Sequence, residues 1–403
     1  MSLTPAGSLV LRHGNIITMN PRQPRAGALA VDQGRIVAVG AWDDVATHAH
    51  GAHVLDLAGR TVLPGLIDTH AHLLWTALGL AALDLSGAND HPSLEAIVRE
   101  QATSLPPGSV IYGMGFTEYA LNTAAFSPII DVLDAASPDH PAFLIGVTGH
   151  TSAANGRALE ELDLPDDTPG VMRTAGGGPS GLLTGEANNI ATGVFSRRFR
   201  ANQDGAHLVA QTVELAHSVG ITTLHALEGG LAESDEAVLE LAAAIPGLPL
   251  HVLLYYQTTD VQKVVSLGLP RIGGCILLDG DVGPHTAALS QPYLDDAQCY
   301  GTLYFTQEEI DAFVLEAHRA GLQVALHAVG DAAVEQALNA YGAALASVPR
   351  DDHRHRIEHC EVIRAEQVQR AVDLDVALAI QPPFNHFWPH THFYPTLGEE
   401  RAW

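Results

Sequence analysis

The chain has 403 residues, 47% of them apolar, and carries a formal charge of −26 from 46 acidic against 20 basic side chains. That length and apolar share predict a well-buried globular protein with at least two structural units. The acids are dispersed rather than run together, which predicts a solvated acidic surface and argues against nucleic acid or an anionic membrane as a partner. The three cysteines, Cys275, Cys299 and Cys360, are too few and too scattered for a disulfide framework and point to a reducing compartment. The first residues lack the basic and apolar stretches of a signal peptide, and no apolar run reaches membrane-spanning length, so a cytoplasmic protein is expected.

In chain order, residues 8–58 read as short β-rich runs around glycine-containing turns. Ser8–Arg12 and Ile16–Met19 flank His13-Gly14-Asn15, and Ala28–Val31 and Ile36–Val39 flank Asp32-Gln33-Gly34-Arg35, which predicts two hairpins. This first domain, residues 1–60, is too small to seal a core alone and is expected to pair with another part of the chain. From residue 61 the pattern becomes apolar strand, loop, amphipathic helix. Strands are expected at 62–72, 221–226, 250–256, 275–279, 323–328, 355–359 and 376–381, with helices at 205–219, 233–244, 307–320, 331–346 and 365–373. Buried strands alternating with helices predict an α/β fold, a parallel sheet closing as a (β/α) barrel over residues 61–403. Seven strands are visible, and an eighth is missing before Trp403. Residues 75–204 form a long Gly- and Pro-rich insertion after the first strand, expected to serve as a lid or substrate wall at the barrel mouth.

The first strand ends in Asp68-Thr69-His70-Ala71-His72. A strand repeats every two residues, so His70 and His72 share a face and form a ready pair of metal ligands. Single histidines end two later apolar strands, at Leu326-His327 and Ile357-Glu358-His359. One such histidine is ordinarily a hydrogen-bonded interior residue; the ordered set at C-terminal strand ends favours ligation by His70, His72, His327 and His359. Asp331, which follows Gly330 at a helix start, reads as an N-cap. Cys360 faces away from His359 on its strand and reads as packing. The Pro- and aromatic-rich stretch Phe384–His392 reads as a rim or substrate wall.

These residues resemble the amidohydrolase superfamily of metal-dependent hydrolases, and within it the branch containing N-substituted formamide deformylase. The resemblance rests on Leu63–His72, Gly149-His150 with Asn155, Leu183-Thr184-Gly185-Glu186, Asp279-Gly280, Leu326–Asp331, Arg356–His359 and Gln381-Pro382. It implies a (β/α)8 TIM-type barrel beside a urease-like composite β-sandwich built from both chain ends, with residues 1–60 as the N-terminal half. It implies one or two divalent ions, zinc foremost, held by His70, His72, His327, His359 and an aspartate of strand eight, also the general base, that has no counterpart before Trp403. Many relatives carry a carboxylated lysine on strand four, where this sequence has Cys275; the only lysine, Lys263, lies twelve residues earlier. Cys275 is left open between a thiolate ligand and a small buried hydrophobe. By the same resemblance, His150 and Glu186 are the catalytic candidates, against the plain readings of a buried histidine and a surface acid. The implied activity is hydrolysis of a C–N bond in an amide or N-substituted formamide, on a small-molecule substrate, in a protein that the branch suggests is a homodimer. A lactonase or cyclic-amide hydrolase on the same site is the first alternative, and a truncated, metal-binding but inactive fragment the second.

Overall fold

The computed structural model describes residues 7–117, 128–165, 167–230 and 234–402, with side chains except those of residues 385, 391 and 392. It divides into two compact units, one of Met1–Asp68, Ala216–Thr223 and Gly247–His251 and one of Thr69–Leu215, Leu224–Pro246 and Val252–Trp403.

The first unit holds two small sheets. In one, Leu9–Arg12 lies between Ala28–Asp32, antiparallel, and His53–Asp56, parallel, with Arg35–Gly40 outermost. In the other, Asn15–Ile17 lies between Arg25–Ala26 and Thr61–Val62. The hairpin expected around Gln33-Gly34 forms. The one expected around His13-Gly14 does not, because its two arms belong to different sheets. His13 adopts a φ of 50°, and a Cβ on Gly14 would meet a Leu57 methyl at 2.2 Å. This tight corner carries the chain from one sheet into the next instead of folding it back.

The largest sheet is a nearly closed parallel barrel of seven strands: β1 (Leu66–Ala71), β2 (Ile221–Gly229), β3 (His251–Gln257), β4 (Arg271–Leu277), β5 (Gln323–Ala328), β6 (Arg356–His359) and β7 (Ala377–Ala379). They neighbour one another in chain order, leaving β1 and β7 at the two edges. Three strands depart from expectation. β1 starts four residues late, since Pro64 cannot donate to a ladder and Thr61–Val62 joins the small sheet instead. β2 runs on through Leu227 and Glu228. β4 starts at Arg271, four residues before expectation, because Gly273 and Gly274 interrupt its apolar pattern. Their φ values of 87° and 111° allow a bulge in which Gly273 to Leu277 of β4 stands against only Ala325 to His327 of β5. A Cβ at Gly273 would meet the Ala325 carbonyl at 2.1 Å, so the bulge requires glycine there.

Helices Gly205–Ser218, Asp235–Ala244, Gln307–Arg319, Asp331–Ser347 and Ala365–Asp373 occupy the expected stretches; residue 233, expected to begin the second, lies outside the described residues. Apolar side chains of the later helices, such as Val314, Ala317, Val334 and Leu338, pack on Val324, Leu326 and Ile357. Burying each large one is worth about 1.5–3 kcal/mol. Asp331 is not the N-cap of its helix; Gly330 is, and the Asp331 carboxylate accepts from the Ser290 amide at 2.8 Å.

The insertion is no loop. Its described residues form a six-stranded sheet in the order Val171–Arg173, Pro179–Thr184, Thr151–Ala154, Ala142–Gly146, Ile111–Phe116, Leu83–Asp84. Helices including His91–Ser104, Ile129–Ala136 and Gly185–Arg200 cover it. It has cores on both faces, one around Leu94, Leu133 and Leu144 and one around Phe143, Ile145 and Phe195. The strands are short and separated by Gly and Pro, which hid them in the sequence. Among the described residues no helix is long and apolar enough to cross a membrane.

Candidate metal centre

The expected histidines converge at the C-terminal ends of the barrel strands. His70 is the last residue but one of β1 and His72 is the N-cap of the helix that follows, their ring centroids 5.3 Å apart. His359 stands 4.5 Å from both His70 and His327, centroid to centroid. Strict alternation on β6 would turn His359 away from its neighbour Glu358's face. Its φ of 75°, followed by 54° at Cys360, breaks the alternation and brings the imidazole inward, while Cys360 packs into the main core. The β4 bulge aims Cys275 at the same place, with Sγ 3.6 Å from His70 Nε2 and 3.5 Å from His72 Nε2. The ligand atoms of His70, Cys275 and His359 all lie within 4.8 Å of one another.

Hydrogen bonds decide which nitrogen of each ring can bind a cation. A carbonyl only accepts, so His72 Nδ1 donates to the Leu227 carbonyl at 2.6 Å and His327 Nε2 to the Gly280 carbonyl at 3.2 Å. His359 Nδ1 meets the Gln381 amide oxygen at 2.9 Å, and His70 Nδ1 meets Glu358 at 2.8 Å. The electron pairs left over are on Nε2 of His70, His72 and His359 and on Nδ1 of His327. That Nδ1 is buried and has no hydrogen-bond partner among the described residues. Burial first, and neighbouring imidazoles second, push the His70 and His327 pKa values well below the usual range; the same causes push His359 to about 3. Burial holds the Cys275 thiol well above its usual value. All five donors are therefore neutral without a cation, and an orphaned buried nitrogen beside a thiol and three imidazoles is the donor set a borderline-soft divalent ion takes.

Beside this cluster is a cavity of about 110 Å³ whose lining includes His150, His327, His359, Asp281 and Glu361. Phe384, Trp388, Phe393, Val147 and Val329 form its apolar wall. His150 sits in the turn between Ala142–Gly146 and Thr151–Ala154, its ring 5.6 Å from that of His327. The turn is held by Asn188, which donates to the Gly149 carbonyl at 3.0 Å. Asn155 is structural: it caps the helix Gly156–Leu162 and accepts from the Ala142 amide. Asp279 is buried with its carboxylate accepting from the Val329, Gly330 and Ala288 amides, and burial raises it to about 7. It thereby ties down the end of β5 next to His327.

An amidohydrolase family model matches residues 53–403. The chain belongs to the amidohydrolase family. It is 27% identical to an N-substituted formamide deformylase of Arthrobacter pascens, over 96% of this chain and 75% of that protein. It is 28% identical to Protein LONG AFTER FAR-RED 3 of Arabidopsis thaliana, over 100% of this chain and 73% of that protein. The structure of a metal-dependent hydrolase from Pyrococcus furiosus superposes with a TM-score of 0.71 at 25% identity, covering 98% of this chain and 81% of that one.

Within this amidohydrolase, Glu186 lies in the exposed first turn of the helix Gly185–Arg200 and is not part of the cavity lining. Lys263 is in the helix Val261–Ser266, paired with Asp235. Sequence reasoning missed Glu228, Asp281, Glu361 and the Arg356–Glu358 pair. Glu228 is buried and accepts from the Leu73 and Leu74 amides, fixing the helix that starts at His72. A buried acid two residues past an expected strand end was the available signal.

Proposed function

We propose that this amidohydrolase hydrolyses the C–N bond of an acyclic amide, of the N-substituted formamide kind, with a divalent ion, zinc by preference, held by His70, His72, His327, His359 and Cys275. The observation that carries the reading is the trio His70, Cys275 and His359, whose ligand atoms lie within 4.8 Å of one another, with the His327 Nδ1 orphaned in the same cluster of rings. A divalent ion held there supplies Lewis acidity and lowers the pKa of bound water toward neutrality. The chain's own part is to hold and orient. Leu227, Glu358, Gly280 and Gln381 each keep a proton on the ring nitrogen they face, so the opposite nitrogen is presented. In this reading His150, which lines the cavity, donates to a carbonyl oxygen as charge grows on it. Phe384, Trp388 and Phe393 accept an apolar substituent and keep water from the reacting bond.

Elemental analysis and a panel of N-substituted formamides, acyl amides, lactones and cyclic amides test this. The expected result is bound metal and turnover of the acyclic amides, with both lost in the double variant His70→Ala, His72→Ala. Faster turnover of lactones or cyclic amides would replace the reading with that of another hydrolase on the same ligands. Metal without turnover of any panel member would make this chain a non-catalytic metal binder, and a metal-free wild type would overturn the proposal.

A further inference from the structure

Below the ligand cluster the barrel interior holds a buried ion pair that the hydrolytic reading does not use. Arg356 and Glu358 alternate on β6 and share its inward face, while Ile357 between them packs on the helices. Glu358 is fully buried. Arg356 grips both of its oxygens, Nε to Oε1 and Nη2 to Oε2 at 2.7 Å. The rest of the guanidinium reaches across the barrel. Nη2 also donates to the Thr69 carbonyl on β1, Nη1 meets His225 Nδ1 on β2 at 2.7 Å, and the guanidinium carbon lies 4.8 Å from the Tyr255 ring centre on β3. Thr69 is the residue before His70, and the oxygen of Glu358 that Arg356 Nη2 holds is the one that His70 Nδ1 meets at 2.8 Å. The pair thus grips His70 twice, through its ring and through the carbonyl that precedes it.

We infer that Arg356 and Glu358 are positioning residues for the metal centre: Glu358 keeps the His70 proton on Nδ1, and Arg356 keeps Glu358 in place to do so. A carboxylate can only accept, so a ring nitrogen bonded to it carries the hydrogen, and Nε2 is the atom presented on the side of Cys275. An unassisted imidazole favours neither nitrogen strongly and rotates about its own bonds; this one is clamped in tautomer and in direction. Buried ion pairs contribute little net stability against apolar replacements of the same shape, so stability alone is a weak reason for this one. The inference rests on the metal-binding reading above, and its test separates the two.

Two measurements decide it. Long-range ¹H–¹⁵N correlation spectra of metal-free wild-type protein labelled on histidine nitrogen report which nitrogen of His70 is protonated. Nδ1–H is expected, and Nε2–H would overturn the inference even if the variant below fails to fold. The second is zinc affinity by competition with a chromophoric chelator. Glu358→Gln keeps size and shape but removes the charge and offers an amide that can donate as well as accept. Its affinity is expected to fall about 10–100-fold, the range for an outer partner of a ligating histidine. The accompanying change is loss of the single His70 tautomer in the metal-free spectrum. Wild-type affinity together with an unchanged tautomer in Glu358→Gln would reduce the pair to a structural one and overturn the inference. A wild type that binds no divalent metal but shows His70 as Nδ1–H would overturn the role at a metal centre and the hydrolase reading together, leaving only the tautomer assignment.

Discussion

The barrel unit buries two groups of histidines, and they are built to opposite ends. At the C-terminal strand ends, one nitrogen of each ring is held by the protein; the ligand atoms of His70 and His359 lie with that of Cys275 within 4.8 Å of one another, and His327 Nδ1 is without a protein partner among the described residues. At the opposite ends of β5 and β6, His318, His353 and His355 form a relay in which every ring nitrogen is engaged. The Val324 amide donates to His355 Nδ1 at 3.0 Å, which leaves the His355 Nε2 hydrogen for His318 Nδ1 at 2.9 Å, and His318 Nε2 then donates to the Val348 carbonyl at 2.7 Å. His353 Nδ1 accepts from the His355 amide, and its Nε2 donates to the Leu374 carbonyl, both at 3.0 Å. Burial lowers His355 to about 2 and lowers His353 as well, so depressed pKa values occur in both groups. Burial and neutrality do not mark a metal centre. What sets the first group apart is the His327 Nδ1, buried without a hydrogen-bond partner among the described residues, beside a trio of possible ligand atoms.

The sharpest way to break this comparison is to remove a ring from each group. His355→Ala leaves the Val324 amide and His318 Nδ1 unsatisfied around a new void, and is expected to cost about 3 kcal/mol in urea unfolding. Bound metal per folded molecule should not change. The double variant at His70 and His72 should lose the metal, and its urea midpoint, unlike that of His355→Ala, should no longer change when chelator is added. Similar effects on both readouts in both variants would end the distinction.

Acid provides the next largest effect. The folded values of His355 and His353 lie below the unfolded histidine value of about 6.5, so the unfolded chain takes up more protons as pH falls. Stability is therefore fully present above about pH 6.5 and is lost progressively as the pH falls toward the folded values. At pH 5 keeping the His355 imidazole neutral costs about 2 kcal/mol relative to pH 8. Unfolding free energies between pH 5 and 8, measured in chelator, should fall less steeply in His355→Gln than in wild type. The charges that act on this relay include Arg350, whose Nη1 donates to the His318 carbonyl, Asp375 and Asp352, all present in either protein. Identical slopes would show that His355 titrates as it does in the unfolded chain.

The smallest effect is expected away from both groups. Glu186 is exposed in a first helical turn, and Glu186→Gln should cost about 0.5 kcal/mol, the loss of a favourable charge at a helix N-terminus. Turnover on the amide panel should stay within about twofold of wild type. A much larger fall would return Glu186 to the reacting centre despite its place outside the cavity lining.

Several features were legible in the chain before any coordinates. The strand–helix alternation from residue 61, the pairing of His70 with His72, and the strand-end positions of His327 and His359 are periodic or local, and period and locality survive in a linear text. The absence of a lysine near Cys275 was equally plain. Other features were decided only by the fold. The glycine pair at residues 273 and 274 hid the start of β4 and created the bulge that aims Cys275, because a positive φ breaks the pattern that a strand reading depends on. The same cause turns His359 inward against strict alternation. The insertion's six strands are two to six residues long and spread over Leu83–Thr184 with helices between them, and the last two are exchanged in the sheet, so no short window of sequence contains the sheet. The grip of Arg356 on β1 and β2, and the proton placement in His70 and His72, depend on partners more than one hundred residues away, and that in His327 and His359 on partners 47 and 22 residues away. Composition and period determined which residues could line a metal centre; long-range hydrogen bonds decided which nitrogen of each would face it.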